Sequence, residues 1–247
     1  MKKGRPPISE YDAQKVLGEL IDAVVEVYRQ KQEIKATAVE LDLELQKVKK
    51  LLVTAGELCY PETEIILSYK KQGKTLSEIQ EIMQLGRSSV NAYLPYSKAV
   101  YKSEEISRNA ERVKCYRKRK ETVEKLLEAM TNERLWDCIV AFQHYPFYTA
   151  SGLPFTYYLK IGRNGEYTKE LFIDRREGSK SLAWSSMRIA FEKAIERQGT
   201  VFDRPKAIAD VRGVSYSYSL FWRFGLISVP EKIAMKLRGV KPGEGKI

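Results

Sequence analysis

The stretch TLSEIQEIMQLGRSSVNAYL, residues 75–94, decides how the chain is read. Thr75 offers a hydroxyl to cap a helix, and Glu78 stands three residues on, where a capping-box partner reaches back. Leu76, Ile79, Ile82 and Met83 fall at helical spacing and give that helix one apolar face. Gln84-Leu85-Gly86 breaks it, and Ser88 or Ser89 stands where a second helix would start. Val90, Tyr93 and Leu94 turn back toward the first helix, leaving Arg87, Ser88, Ser89, Asn91 and Ala92 outward. The pattern predicts two short helices joined by a tight turn.

Residues 33–52, EIKATAVELDLELQKVKKLL, repeat this pattern 42 residues upstream. Leu41 falls on Met83, Leu43 on Leu85, Val48 on Val90 and Leu52 on Leu94. A matched apolar register at a fixed offset is the signature of an internal repeat. The first copy turns at Asp42-Leu43-Glu44 and sets Gln46, Lys47, Lys49 and Lys50 outward on its second helix. Each copy has a helix ahead of it. One follows Val16, Leu20, Ala23, Val24 and Val27, and the other runs from Glu64 to Lys71.

These residues resemble the helix-turn-helix superfamily, in the manner of sigma-factor region four and resolvase-type units. The resemblance rests on Ile79, Met83, Leu85, Val90 and Leu94 and covers one turn-helix unit. It implies a module that sets its second helix in the major groove of duplex DNA. Arg87, Ser88, Ser89 and Asn91 would then read bases, arginine suiting guanine and asparagine adenine. Gln46, Lys47, Lys49 and Lys50 of the first copy would meet the DNA too, the lysines on phosphates. That superfamily often has Gly where Gln84 stands, whereas here the glycine is Gly86. The plainer reading of the same residues is a helical hairpin with a polar face.

Charge favours a polyanion. The chain has 247 residues, with 43 Lys and Arg against 32 Asp and Glu, a net charge of +11. Residues 1–100 carry +1, residues 101–130 carry +3 and residues 131–247 carry +7. The surplus therefore lies downstream of the repeats. Residues 1–11 form a basic arm whose Gly4-Arg5-Pro6 resembles half of an AT-hook, with Arg5 suited to a narrow minor groove. Repeat units are expected over 12–60 and 61–102, with Lys98 near phosphate at the end of the second. Residues 103–131 read as a basic linker helix carrying Arg108, Arg112, Lys114, Arg117, Lys118, Arg119 and Lys120. Its Val123, Leu126, Leu127 and Met130 mark an apolar docking face.

Residues 132–238 resemble no family and read as a small α+β domain, followed by a loose tail over 239–247. A helix from Glu133 to His144 leads into a loop holding Phe147 and Tyr148. FTYYLKI (155–161) and YTKELFID (167–174) flank Gly162-Arg163-Asn164-Gly165, and Asn-Gly between alternating runs signals a hairpin. Arg163 at its tip, with Arg175 and Arg176 at its foot, would make a DNA wing. A helix is expected over Ser181–Arg197 and an aromatic one ending at Gly225. Tyr157, Tyr158, Tyr216, Tyr218, Phe221 and Trp222 suit a core, a ligand pocket or a homodimer surface, core being the default. The expected fold class is mainly α with a small α+β C-terminal domain.

Two functions compete. The first is a sequence-specific duplex DNA-binding protein, a transcriptional regulator without a cofactor. The second is a restriction-type DNA endonuclease that would use Mg²⁺ held near Glu166, Lys169, Glu170 and Asp174. No Gly-rich phosphate loop, nucleophile elbow or Cys-His pair supports other chemistry. Three scattered cysteines and a single histidine exclude a zinc-finger pattern. No apolar run long enough for a membrane span is present, and the start lacks a signal peptide's apolar core. A cytoplasmic protein is expected.

Overall fold

The computed structural model describes residues 11–96, 102–174 and 181–239. Among these the protein is mainly helical, with a four-stranded antiparallel sheet toward its C-terminal end. Arg5, Lys98, Arg175, Arg176 and the tail beyond Gly239 lie outside the described residues. The chain divides into two units, Met1–Arg117 and Lys118–Ile247.

The first unit opens with α1 (Ala13–Lys31), α2 (Ile34–Leu41) and α3 (Leu45–Ala55). It repeats the order with α4 (Pro61–Lys71), α5 (Leu76–Met83) and α6 (Arg87–Tyr93). Helices α2 and α5 begin and end 42 residues apart, and α3 and α6 begin 42 residues apart. The turns match atom for atom. Asp42 and Gln84 both take left-handed backbone, with φ of 52° and 51°. Their N–H groups donate to Val39 and Glu81 carbonyls at 3.3 Å. The next N–H groups, of Leu43 and Leu85, reach back to Ala38 and Gln80 at 2.9 and 3.1 Å. This double closure satisfies the last carbonyls of α2 and α5. A side chain in this left-handed position costs about 1–2 kcal/mol. Gly86 is instead the extended residue that caps α6.

The capping box forms as expected: the Glu78 N–H donates to the Thr75 hydroxyl, and the Thr75 N–H to the Glu78 carboxylate at 2.7 Å. The bonds from Thr75 hold that carboxyl below its usual range. In the first repeat Leu20, Val24, Val48, Leu51 and Leu52 are wholly buried. Val113 and Tyr116 from α7 (Ser103–Glu128) join them. The second repeat centres on Ile66, Ile79, Val90 and Leu94. Ile82, assigned to the apolar face from its spacing, is 45% exposed.

The second unit begins within α7. Helix α8 (Asn132–Ala141), capped by the Thr131 hydroxyl, is followed by β1 (Phe147–Tyr148), β2 (Pro154–Ile161), β3 (Tyr167–Asp174) and β4 (Leu182–Ala183). The strands lie in chain order. The β2–β3 hairpin sets Tyr158 opposite Phe172 and Ile161 opposite Tyr167, with an irregularity between Leu159 and Ile161. Helices α9 (Trp184–Glu196), α10 (Val214–Arg223) and α11 (Glu231–Leu237) complete the unit. Phe155, Tyr157, Leu159, Leu171 and Ile173 alternate inward into a core with Leu126, Leu135, Ile139, Met187, Phe191 and Phe221. Tyr157 donates its buried hydroxyl to the Ile139 carbonyl at 2.7 Å.

Several expectations need correction. The stretch holding Phe147 and Tyr148 is not only loop, because Phe147 pairs with Phe155 as β1. The helix expected from Ser181 starts at Trp184, since Leu182 and Ala183 pair with β3 as β4. Ile189, placed on that helix's apolar side, is 43% exposed. Of the aromatic set, Tyr157, Tyr218 and Phe221 are core, Tyr216 and Trp222 pack at its margin, and Tyr158 stays outside it.

Candidate nucleic-acid interface

The two equivalent helices α3 and α6 do not present equivalent surfaces. On α6, Arg87, Ser88 and Ala92 are exposed, while Ser89 and Asn91 are half-buried. On α3, only Gln46 of the four outward residues is exposed, and Lys47, Lys49 and Lys50 are half-buried. Lys47 donates to the Glu105 carboxylate at 2.9 Å and to the Asn109 side-chain oxygen at 3.0 Å. Its side chain keeps 17% of its exposure. Lys50 donates to the Asn91 carbonyl at 2.7 Å and lies 4.9 Å from the centre of the Tyr96 ring. Burial lowers its pKa from the ordinary lysine value. The Tyr96 N–H donates to the Thr54 hydroxyl at 3.0 Å, which fastens the end of the second repeat to α3.

Lys47 and Lys50, expected on phosphate, are thus half-buried and bonded within the first unit. For Lys50 the physical reason is the α6 C-terminus. The Asn91 carbonyl, which also accepts from the Leu94 N–H at 3.4 Å, lies at the negative end of the helix dipole.

The basic run on α7 is divided in the same way. A helix turns about 100° per residue, so consecutive charges point all round it. Arg112 pairs with Asp42 at 3.3 Å and Arg117 with Glu19 at 3.4 Å. In the second unit, the Arg119 guanidinium lies 5.2 Å from the Tyr145 ring and 5.8 Å from the Phe142 ring. Arg112 and Arg119 thus make contacts within their own units, while Arg117, with its side chain 59% exposed, pairs with Glu19 at the surface. Arg108, Lys114, Lys118 and Lys120 remain exposed, with Arg108 and Lys114 each 3.8 Å from a carboxylate on α7 itself.

The candidate nuclease residues do not converge. Glu166 lies in the hairpin turn, where its N–H donates to the Asn164 side chain at 3.2 Å. Glu170 and Asp174 share a strand face, but four residues of strand separate them by about 13 Å. Glu170 instead accepts from the Ser181 hydroxyl. Lys169 is on the other face, 5.8 Å from the Trp136 ring and 5.9 Å from the Trp184 ring. Among the described residues no three His, Cys, Asp or Glu side chains come together as metal ligands. Arg163 is exposed at the hairpin tip. No described helix is long and apolar enough to cross a membrane.

Comparison with family models, with curated proteins and with solved structures finds no match to this chain.

Proposed function

We propose that the chain is a sequence-specific duplex DNA-binding protein, a transcriptional regulator, that reads DNA through its second repeat alone. The observation that carries this reading is the asymmetry between α3 and α6. The same three-helix geometry occurs twice, yet Lys47 and Lys50 on the polar face of α3 are bonded to Glu105, Asn109 and the end of α6. The polar residues that begin α6 stay exposed. Arg87 and Ser88 are the base-reading residues and Asn91 borders them, while the first repeat is the support that holds α6. Exposed cations outside the repeat, among them Arg108, Lys118 and Lys120, supply sequence-independent attraction.

In vitro selection from a random duplex library tests this. A defined site should emerge, and Arg87→Ala should cost about 1–3 kcal/mol at one base of that site. A uniform loss across all sequences would make Arg87 a phosphate contact, and a library that yields no site would end the proposal.

A further inference from the structure

Among the described residues, the sheet of the second unit buries one face against helices. Its other face carries Tyr158 and Lys160 from β2 and Phe172 from β3, all outside the core. Tyr158 and Phe172 are direct cross-strand partners, with ring centres 5.5 Å apart and planes 22° apart. His144 continues the row, its ring 6.5 Å from Tyr158 and within 2° of parallel. The backbone is bent to put it there: His144 takes a φ of 61°, and its N–H donates to the Tyr157 carbonyl at 2.9 Å. Left-handed backbone on a non-glycine residue persists where the surroundings over-determine it. The Lys160 ammonium sits 3.9 Å from the centre of the Phe172 ring.

From this row we infer a stacking platform for the bases of single-stranded DNA. Three near-parallel rings across an open sheet face offer π surfaces that any base can meet, which is how single strands are held without duplex geometry. An aliphatic protein partner would gain nothing from an ammonium seated on the middle of its contact surface. A polynucleotide gains from it, because a base can take the ring while Lys160 turns to the adjoining phosphate. The charge is complementary as well. Residues 118–247 hold 23 basic and 15 acidic side chains, a net +8.

Glu170 and Asp174 flank Phe172 on this same face, and they set the path of the strand. Glu170 is held by Ser181, Glu166 by Asn164, and Asp174 marks the far end of β3. Phosphates accordingly follow the edge from Lys160 toward Arg163. The platform depends on the duplex reading only in the choice of DNA over RNA.

His144 is the only histidine in the chain, so its ring signals in a nuclear magnetic resonance spectrum report this face alone. Full-length protein is titrated with an oligothymidine of about 12 nucleotides, the matching oligouridine, and a blunt duplex. Oligothymidine should shift the His144 ring resonances upfield and bind more tightly than oligouridine. Tyr158→Ala and Phe172→Leu should each weaken it, the former by about 5- to 150-fold. Tyr158→Phe keeps the ring and should keep the binding, which separates stacking from damage to the fold. A silent His144, tighter binding of oligouridine, or equal binding by Tyr158→Ala overturns the inference. Failure of the duplex reading would look different: no selected duplex, with the oligothymidine response intact.

Discussion

Replacing Lys50 by methionine separates the two roles this lysine has been given. Methionine keeps most of the apolar stem and removes only the ammonium. The structure gives that ammonium a 2.7 Å bond to the Asn91 carbonyl and a place beside the Tyr96 ring. A hydrogen bond from a charged donor is worth about 1.5–3 kcal/mol when buried, and partial exposure brings this toward about 1 kcal/mol. The ring adds about 0.5–1 kcal/mol. Desolvation of the charge, visible in the lowered pKa, offsets part of both. The first unit should therefore lose about 1–2 kcal/mol, at about 4 °C in melting temperature for each. Binding to a selected duplex should weaken with an unchanged salt slope, because α6 loses its support and no phosphate contact is lost. Thermal melting and anisotropy at several salt concentrations measure both. An unchanged melting temperature with a salt slope flatter by about 0.9 would put Lys50 on phosphate and refute its supporting role.

Other outcomes follow from the second unit. Tyr157→Phe deletes the hydroxyl that satisfies one of the last carbonyls of α8, and should cost about 1–3 kcal/mol in denaturant unfolding. An unchanged midpoint would mean that water replaces the hydroxyl there. Burial pushes the Cys138 thiol and the Tyr218 phenol each up to about 12, and Tyr157 well above its ordinary value. Raised values favour the neutral forms in the folded unit. Stability is therefore intact below about pH 8.5, where even the unfolded thiol stays protonated, and declines as pH rises toward 12. Unfolding followed from pH 8 to 11.5 should show that decline. Cys138→Ala should remove its lower-pH part, and identical curves for the two proteins would mean the thiol is not buried.

Much of the fold was legible because it depends on local chemistry. The 42-residue offset needs only the apolar register of Leu41, Leu43, Val48 and Leu52 against Met83, Leu85, Val90 and Leu94. The β2–β3 hairpin needs only Asn164-Gly165 between alternating runs. What escaped was set by partners distant in sequence. Lys47 and Lys50 look like surface cations until Glu105, Asn109 and Asn91 arrive from 58, 62 and 41 residues away. Strands β1 and β4 have two residues each, too few for any period to appear. His144 gives no sign of its left-handed backbone, because the pairing that holds it is with Tyr157.

The two repeats share a backbone plan but not a depth of core. Among the described residues, twelve buried apolar residues gather around the first and four around the second. Opening free energies follow such contacts, so amide exchange in α5 and α6 should run well ahead of that in α1 and α3. The half that carries Arg87 is then the yielding half. On the proposed duplex reading, α6 would firm up on its target, and part of the discrimination between sites would be the difference in how completely each one orders it.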